Sequence, residues 1–278
     1  MKVVCFGAAD GGKRLYQKIS EQYEVIGFVD NDSMKWGGVC AGIKVYEPKQ
    51  YLLNEQYDYV VITSEPGMES ILKQLLGMGI DRKHIITNYV ESRLEGRRVF
   101  LEKYAEMQNI WNEEGDVAEA GVFEGDFARY INEYFPLRKL HLFDTFEGFA
   151  ESDLEKEMKN NYSNAVAGDY SNTSEKVVLE KMPYPEQVII HKGFFPKTAS
   201  NLSGSFVFVN LDLDLYEPTY QGLLFFRDKL SANGVILVHD YFARNFRGPR
   251  EAVNRFVREY PRAQIRPIGD GVSVMIIL

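Results

Sequence analysis

The sequence predicts an α/β protein of two Rossmann-like units, each a mostly parallel sheet wound with helices. Three observations carry that expectation. β-Branched apolar runs alternate with segments of helical period, and strands separated by helices imply right-handed crossovers and parallel pairing. The polar stretch SRLEGRR at residues 92–98 interrupts this rhythm where the charge balance also changes. Residues 1–97 carry 12 Lys and Arg against 13 Asp and Glu, and residues 98–278 carry 20 against 27. The chain closes with two apolar segments joined by Gly269-Asp270-Gly271, the pattern of a hairpin. We therefore expect a small Rossmann-like domain over residues 1–97. A larger, doubly wound domain should follow over residues 98–278, its sheet finished by an antiparallel hairpin.

In the first unit, Lys2–Gly7 reads as a strand, Lys13–Gln22 as a helix, Val25–Val29 as a second strand ending in Asp30, and Tyr57–Thr63 as a third. The turn FGAADGGKRL places Gly7, Gly11 and Gly12 where backbone amides and a helix N-terminus can cradle a phosphate, with Asp30 where a ribose-contacting acid would stand. Its spacing departs from strict G-x-G-x-x-G. The unit therefore reads as a binder of a nucleotide or sugar nucleotide or, more blandly, as a tight turn that binds nothing. It is similar to small Rossmann-type modules attached to sugar-modifying enzymes.

The second unit opens on an amphipathic helix, Val99–Trp111, after a linker at 92–98. Strands are expected at Val117–Val122, Leu140–Phe143, Val188–His191, Phe206–Leu211 and Val235–Val238. Helices are expected at Gly125–Tyr134, Ser174–Lys181, Pro218–Leu230 and Arg250–Tyr260, and the hairpin pairs Gln264–Ile268 with Val272–Leu278. Residues 151–172 are polar and tyrosine-containing, as suits a lid over a bound acceptor.

Composition narrows the function. At 45% hydrophobic and 26% charged residues the chain is ordinarily globular. No apolar run approaches the roughly 20 residues that span a bilayer, and the start MKVVCFGAADGG lacks a signal-peptide layout. Two cysteines, Cys5 and Cys40, exclude a disulfide framework and a thiolate zinc cluster, so a cytoplasmic location is the simplest. A net charge of −8 argues against a partner held by phosphate neutralisation, so no nucleic acid is expected. Self-association into a homo-oligomer is left open.

The chemistry gathers at strand ends. In AEAGVFEGDFARYIN a strand carries Glu119 at its end, turns through Gly121, and passes Phe123 and Gly125 into a helix. Ligands of doubly wound sheets lie beyond those ends. S-adenosylmethionine offers such a crevice an ammonium, a sulfonium and two ribose hydroxyls. Asp144, at the tip of the next strand in LHLFDTFEGF, can accept from both hydroxyls, or it merely caps the next helix. In LDLDLY, side chains alternate along the strand, so Asp212 and Asp214 point the same way and Leu213 the opposite way, and HDY brings His239 and Asp240 to the end of another strand. If those strands are neighbours, Asp212, His239 and Asp240 converge on one cation, Mg²⁺ or Mn²⁺. The blander alternative has these acids capping helices or pairing with Arg244 and Arg247.

EAGVFEGDFA, FDTFEGF, HKGFFPKT, LDLDLYEPTY and ILVHDYF occur in this order over about residues 98–278. That combination resembles the macrocin and mycinamicin O-methyltransferase family. The resemblance implies an S-adenosylmethionine- and divalent-metal-dependent methyltransferase acting on a sugar hydroxyl of a nucleotide sugar, a surface glycan or a glycosylated metabolite. It implies that Glu119, Gly121 and Phe123 line the methionine end of the cofactor, and Asp144, Thr145 and Phe146 the adenosine. Ser174, Gly193 and Phe194 match further cofactor-lining segments. By the same carry-over, Asp212 is both metal ligand and general base. The family commonly shows two aspartates where this chain has His239-Asp240, which makes His239 the alternative base.

His84, His141 and His191 have no companions at ligand spacing and read as surface or strand-edge residues. Arg244, Arg247 and Arg250, with Tyr241, Phe242 and Phe246, suit either a sugar carrying a phosphate or carboxylate, or plain packing beneath a solvated basic face. Two other functions fit the same residues. One is a sugar-nucleotide-binding or scaffolding protein with a decayed methyltransferase domain. The other is a metal-dependent catechol-type methyltransferase.

Overall fold

A computed structural model of the chain describes residues 1–64, 67–200 and 202–278, with backbone alone at 92–94. It divides into two compact units, Met1–Glu95 and Gly96–Leu278.

The first unit runs β1 (Lys2–Phe6), α1 (Asp10–Ser20), β2 (Glu24–Val29), β3 (Val39–Cys40), β4 (Ile43–Tyr46), α2 (Pro48–Asn54), β5 (Tyr59–Ile62), α3 (Met68–Gly77) and β6 (Ile85–Ile86). Its sheet has the order β3-β4-β2-β1-β5-β6, antiparallel only between β3 and β4. Strand β1 reads as a continuous apolar run because both faces are covered. Val3 and Cys5 pack with Leu15 and Ile19 of α1 on one side, and Val4 and Phe6 with Leu52, Ile71 and Leu75 on the other. The glycine turn is set by close approach. A Cβ on Gly11 would lie 2.2 Å from the Thr63 carbonyl oxygen, and one on Gly12 would lie 2.3 Å from that of Gly7. Asp30 accepts from the amides of Ala8 (2.7 Å) and Asp32 (2.9 Å) and from Lys35 Nζ (3.1 Å). Packing within the unit accounts for Gly11 and Gly12.

Helix α4 (Asn88–Trp111) begins in the first unit and ends in the second, which continues β7 (Asp116–Ala120), α5 (Asp126–Tyr134), β8 (Leu140–Asp144), α6 (Glu151–Asn160), α7 (Glu175–Lys181), β9 (Val188–Lys192), β10 (Phe206–Leu211), α8 (Tyr216–Arg227), β11 (Leu230–Val238), α9 (Gly248–Glu259), β12 (Gln264–Pro267) and β13 (Val274–Ile277). The expected linker at 92–98 does not form, since α4 runs through it unbroken. Polarity there does not mark a break: Arg, Leu and Glu are good helix formers, and a lone glycine costs only about 1 kcal/mol. Within residues 151–172, α6 is a helix that hydrophobic periodicity did not reveal.

The seven strands stand in the order β12-β13-β11-β10-β7-β8-β9. Strand β7 is the first of this unit yet interior to its sheet, so the chain winds to both sides of it and a crevice opens at its carboxyl end. Strand β13 runs antiparallel to β11 and β12, and the remaining pairs are parallel. The expected terminal hairpin is present. Asp270 closes it by accepting from the amides of Val272 and Ser273 (each 2.9 Å) and from Ser273 Oγ. Strand β10 is buried along its whole length, with Phe206, Val209 and Leu211 in one core layer and Val207 and Phe208 in the other. Among the described residues no helix is long and apolar enough to cross a membrane.

Candidate active site

Parallel pairing fixes which strand ends meet. Ala120 is in register with Leu211 and Phe143, and Leu211 with Val238. The residues following β7, β8, β10 and β11 therefore emerge side by side. Beyond β7 the chain turns at Gly121 with φ +82°, where a Cβ would stand 1.9 Å from the Asp212 carbonyl oxygen. Only glycine fits that approach. The Asp212 amide in turn donates to Ala120 O at 2.8 Å.

Asp144 holds the turn after β7 in place. Its Oδ2 accepts from the amides of Val122 (2.7 Å) and Phe123 (3.0 Å), and Oδ1 from that of Phe146 (2.7 Å). Much of its acceptor capacity is thus spent on backbone, leaving Oδ1 as the atom with room for a ribose hydroxyl. Phe123 and Phe146 take left-handed backbone, φ 50° and 57°, a strained conformation for aromatic residues. Thr145 Oγ1 accepts from the Glu147 amide at 3.2 Å. The Gly193 amide donates to Asp144 O at 2.9 Å, and Phe194 is exposed beyond it. Ser174 caps α7 by accepting from the Val177 amide, so its hydroxyl serves the helix.

Glu119 is buried with Oε1 accepting from Asn210 Nδ2 at 2.7 Å, its register partner on β10, while Oε2 has no partner. That orphaned oxygen fits a cationic group such as the cofactor's ammonium. Burial, partly offset by Arg97, pushes the Glu119 carboxyl up to about 8. Arg97 of α4 is also buried, with Nη2 2.9 Å from Asn210 Oδ1 and 3.0 Å from Asp212 Oδ2. Neither Arg97 nor Asn210 was singled out from the sequence. Asn210 left a signal, a lone amide inside the apolar strand FVFVNL. Arg97 left none, because it lies in a stretch read as linker.

Ligand atoms of Asp212, His239 and Asp240 all lie within 4.8 Å of one another. His239 Nδ1 is 3.0 Å from Asp212 Oδ1 and 3.0 Å from Asp240 Oδ2, yet neither buried ring nitrogen has hydrogen-bond geometry to a partner. Burial would lower the His239 imidazole, but Asp212 and Asp240 outweigh it and hold it well above its usual range, so the ring carries a proton between two carboxylates, the place a divalent cation would take on displacing that proton. Burial alone would raise the Asp212 carboxyl, but His239 and Arg97 outweigh it and hold it well below the usual carboxylate range. Burial, then Asp240 and Asp212, push Asp214 well above that range. The alternation expected along LDLDLY does not hold, since β10 ends at Leu211 and Asp214 has φ 58°. Asp240 is left-handed too, at φ 59°.

Tyr170 returns the 151–172 excursion to this place. Its ring packs edge-on against Phe123 (5.3 Å) and Phe149 (5.4 Å), and Asp214, then burial, raise its hydroxyl. His141 and His191 are not lone histidines. Nδ1 of His141 is 2.9 Å from Nε2 of His191, and its Nε2 is 3.2 Å from Asp116 Oδ2. Adjacent strands bring together what lies 50 residues apart in sequence.

A seven-stranded sheet of this order, with an acid and a glycine turn ending its central strand, defines a class I S-adenosylmethionine-dependent methyltransferase fold. Residues 91–267 match the macrocin-O-methyltransferase family, and the chain belongs to it. It is an S-adenosylmethionine-dependent O-methyltransferase. Residues 1–86 match the C2185-like N-terminal domain. Among solved structures, the O-methyltransferase NovP is similar with a TM-score of 0.52 and 21% identity, over 65% of this chain and 78% of NovP. The calicheamicin methyltransferase CalS11 is similar with a TM-score of 0.56 and 19% identity, over 77% of this chain and 93% of CalS11. At these identities the likeness is one of fold. No curated protein matches the sequence.

Proposed function

We propose that the chain methylates a sugar hydroxyl, with Asp212, His239 and Asp240 holding a divalent cation, Mg²⁺ or Mn²⁺. The observation that carries this reading is the convergence of those three side chains, with both His239 nitrogens lacking hydrogen bonds, beside the Glu119–Gly121 turn. A cation bound there lowers the pKa of an acceptor hydroxyl and helps to orient it. Glu119 takes the cofactor's ammonium on Oε2, and Asp144 braces the turn against which the methionine end lies. Asp212, ionised and held by Arg97, is the carboxylate nearest to hand for the departing proton. Phe123, Phe149 and Tyr170 wall the crevice and exclude water. All of these residues belong to the second unit.

The segment that follows Asp240 is basic. Arg244, Arg247 and Arg250 are exposed, and none of the three has a carboxylate at ion-pair distance among the described residues. This favours a sugar bearing a phosphate or carboxylate, such as a nucleotide sugar. The test offers methyl-labelled S-adenosylmethionine with Mg²⁺ to nucleotide sugars, neutral glycosides and a catechol. Label is expected on a sugar oxygen, first among the anionic acceptors. Label on the catechol alone would replace the sugar reading with the catechol one.

Glu119 gives a second expectation. With its carboxyl near 8 in the cofactor-free protein, it is mostly protonated at neutral pH. Pairing with an ammonium requires its ionisation, so cofactor binding releases a proton and tightens as pH rises from 6 towards 8. Calorimetry in two buffers of different ionisation enthalpy reads that proton directly. Stability responds to pH with the opposite sign. A carboxyl raised above its unfolded value stabilises the fold fully at low pH, and that contribution is lost as pH climbs through about 8.

A further inference from the structure

We propose that Arg97 is a positioning residue for methyl transfer. It occupies Oδ2 of Asp212, so that Oδ1 alone is offered beside His239, and through Asn210 it ties that orientation to Glu119. The inference rests on the cation reading above.

The geometry is a continuous buried chain. Glu119 Oε1 accepts from Asn210 Nδ2 (2.7 Å), Asn210 Oδ1 accepts from Arg97 Nη2 (2.9 Å), and the same Nη2 lies 3.0 Å from Asp212 Oδ2. Asp212 Oδ1 faces His239 Nδ1 at 3.0 Å. An amide has one donating and one accepting end, so Asn210 serves both neighbours in only one orientation. The guanidinium is itself fixed, lying 3.8 Å over the Phe127 ring of α5 with its side chain 7% exposed. A cation buried this deeply is costly unless paired, and an apolar side chain would fill the same space with less penalty. Charge neutralisation alone does not account for Arg97 either. A guanidinium touching a ligand carboxylate repels a dication, so a bystander there would weaken the site it adjoins. What it does supply is direction: a planar donor that fixes which carboxylate oxygen is free.

The test uses the full chain with Mn²⁺ as probe, electron paramagnetic resonance for free and bound ion, and calorimetry for S-adenosylhomocysteine. Arg97→Met removes the donor and the charge, and Arg97→Lys keeps the charge on a single-point donor. Mn²⁺ is expected to bind Arg97→Met as tightly as wild type, or up to tenfold more tightly, because a repelling charge has gone. The bound-ion spectrum is nevertheless expected to broaden as Asp212 loses its fixed orientation, with about a tenfold loss in S-adenosylhomocysteine affinity through Asn210. Arg97→Lys should restore the wild-type Mn²⁺ affinity without the wild-type spectrum. An unchanged spectrum together with unchanged S-adenosylhomocysteine affinity in both variants overturns the inference. If Arg97→Met does not fold, Arg97→Lys decides by the same two readings. Wild-type protein that takes up no Mn²⁺ overturns the cation reading and this inference with it. Wild type that binds Mn²⁺ beside two indifferent variants overturns the inference alone.

Discussion

Gly121→Ala is expected to abolish methyl transfer, with a loss of at least ~100-fold, although it adds one methyl group in a turn. Two costs fall together. The residue sits at φ +82°, where an L side chain pays about 1–2 kcal/mol. Its Cβ would also stand 1.9 Å from the Asp212 carbonyl oxygen, a backbone atom that no rotamer change can move aside. Relief requires the ends of β7 and β10 to part by more than an ångström. Those ends are bonded through the Asp212 amide and Ala120 O at 2.8 Å, so the movement carries Asp212 out of line with His239 and Arg97. A displacement of about 1 Å at reacting groups is enough for a loss of order 100-fold. Label transfer to the acceptor reads the rate, and circular dichroism checks that the sheet persists. A folded Gly121→Ala protein with a rate within threefold of wild type would show that this approach does not set the site.

What the sequence disclosed and what it hid divide by range. Strand and helix alternation is a local pattern, and β1, β7, β8, β10 and β11 lie close to where apolar runs indicated. LDLDLY and HDY each showed their acids at a strand end, and parallel neighbours in register did the rest. Long-range partners left no such trace. Arg97 and Asp212 are 115 residues apart and meet because α4 packs on the sheet face with Arg97 towards the carboxyl end of β10. His141 and His191 looked solitary because pairing β8 with β9 is what makes them companions. The polar stretch at 92–98 misled for a different reason: polarity does not by itself end a helix, and Arg97 there is buried against Asn210 and Asp212. Asp214 does lie close to Asp212 and Asp240, as expected, but through a left-handed turn rather than through strand alternation.

Asp212→Asn, read beside removal of the cation, is the experiment that separates the proposed mechanism from a decayed site. The substitution keeps the size of the side chain and takes away its charge. The two oxygens of Asp212 face different neighbours: Oδ2 meets Arg97 at 3.0 Å, and Oδ1, left for the cation, faces His239 at 3.0 Å. An amide can present one acceptor but must then point its NH₂ at the other neighbour. Either Arg97 keeps its partner and the cation meets a donor, or the cation keeps its ligand and a buried guanidinium is left against an NH₂ group. Turnover should fall by at least ~100-fold from the lost proton acceptor, before weakened cation binding is added. The cofactor is expected to stay, because its proposed contacts come from Glu119, Gly121 and Asp144. Chelation of the wild-type protein should therefore stop label transfer while S-adenosylhomocysteine affinity holds within about threefold, and Mg²⁺ or Mn²⁺ should restore the rate. Asp212→Asn should resemble the chelated protein and resist rescue by added cation. Full activity in chelator, joined to a wild-type rate for Asp212→Asn, would sink the cation mechanism and leave His239 as the base to test next. Loss of cofactor binding on chelation would instead mean that the two halves of the crevice are assembled together, through the chain that links Glu119 to Asp212.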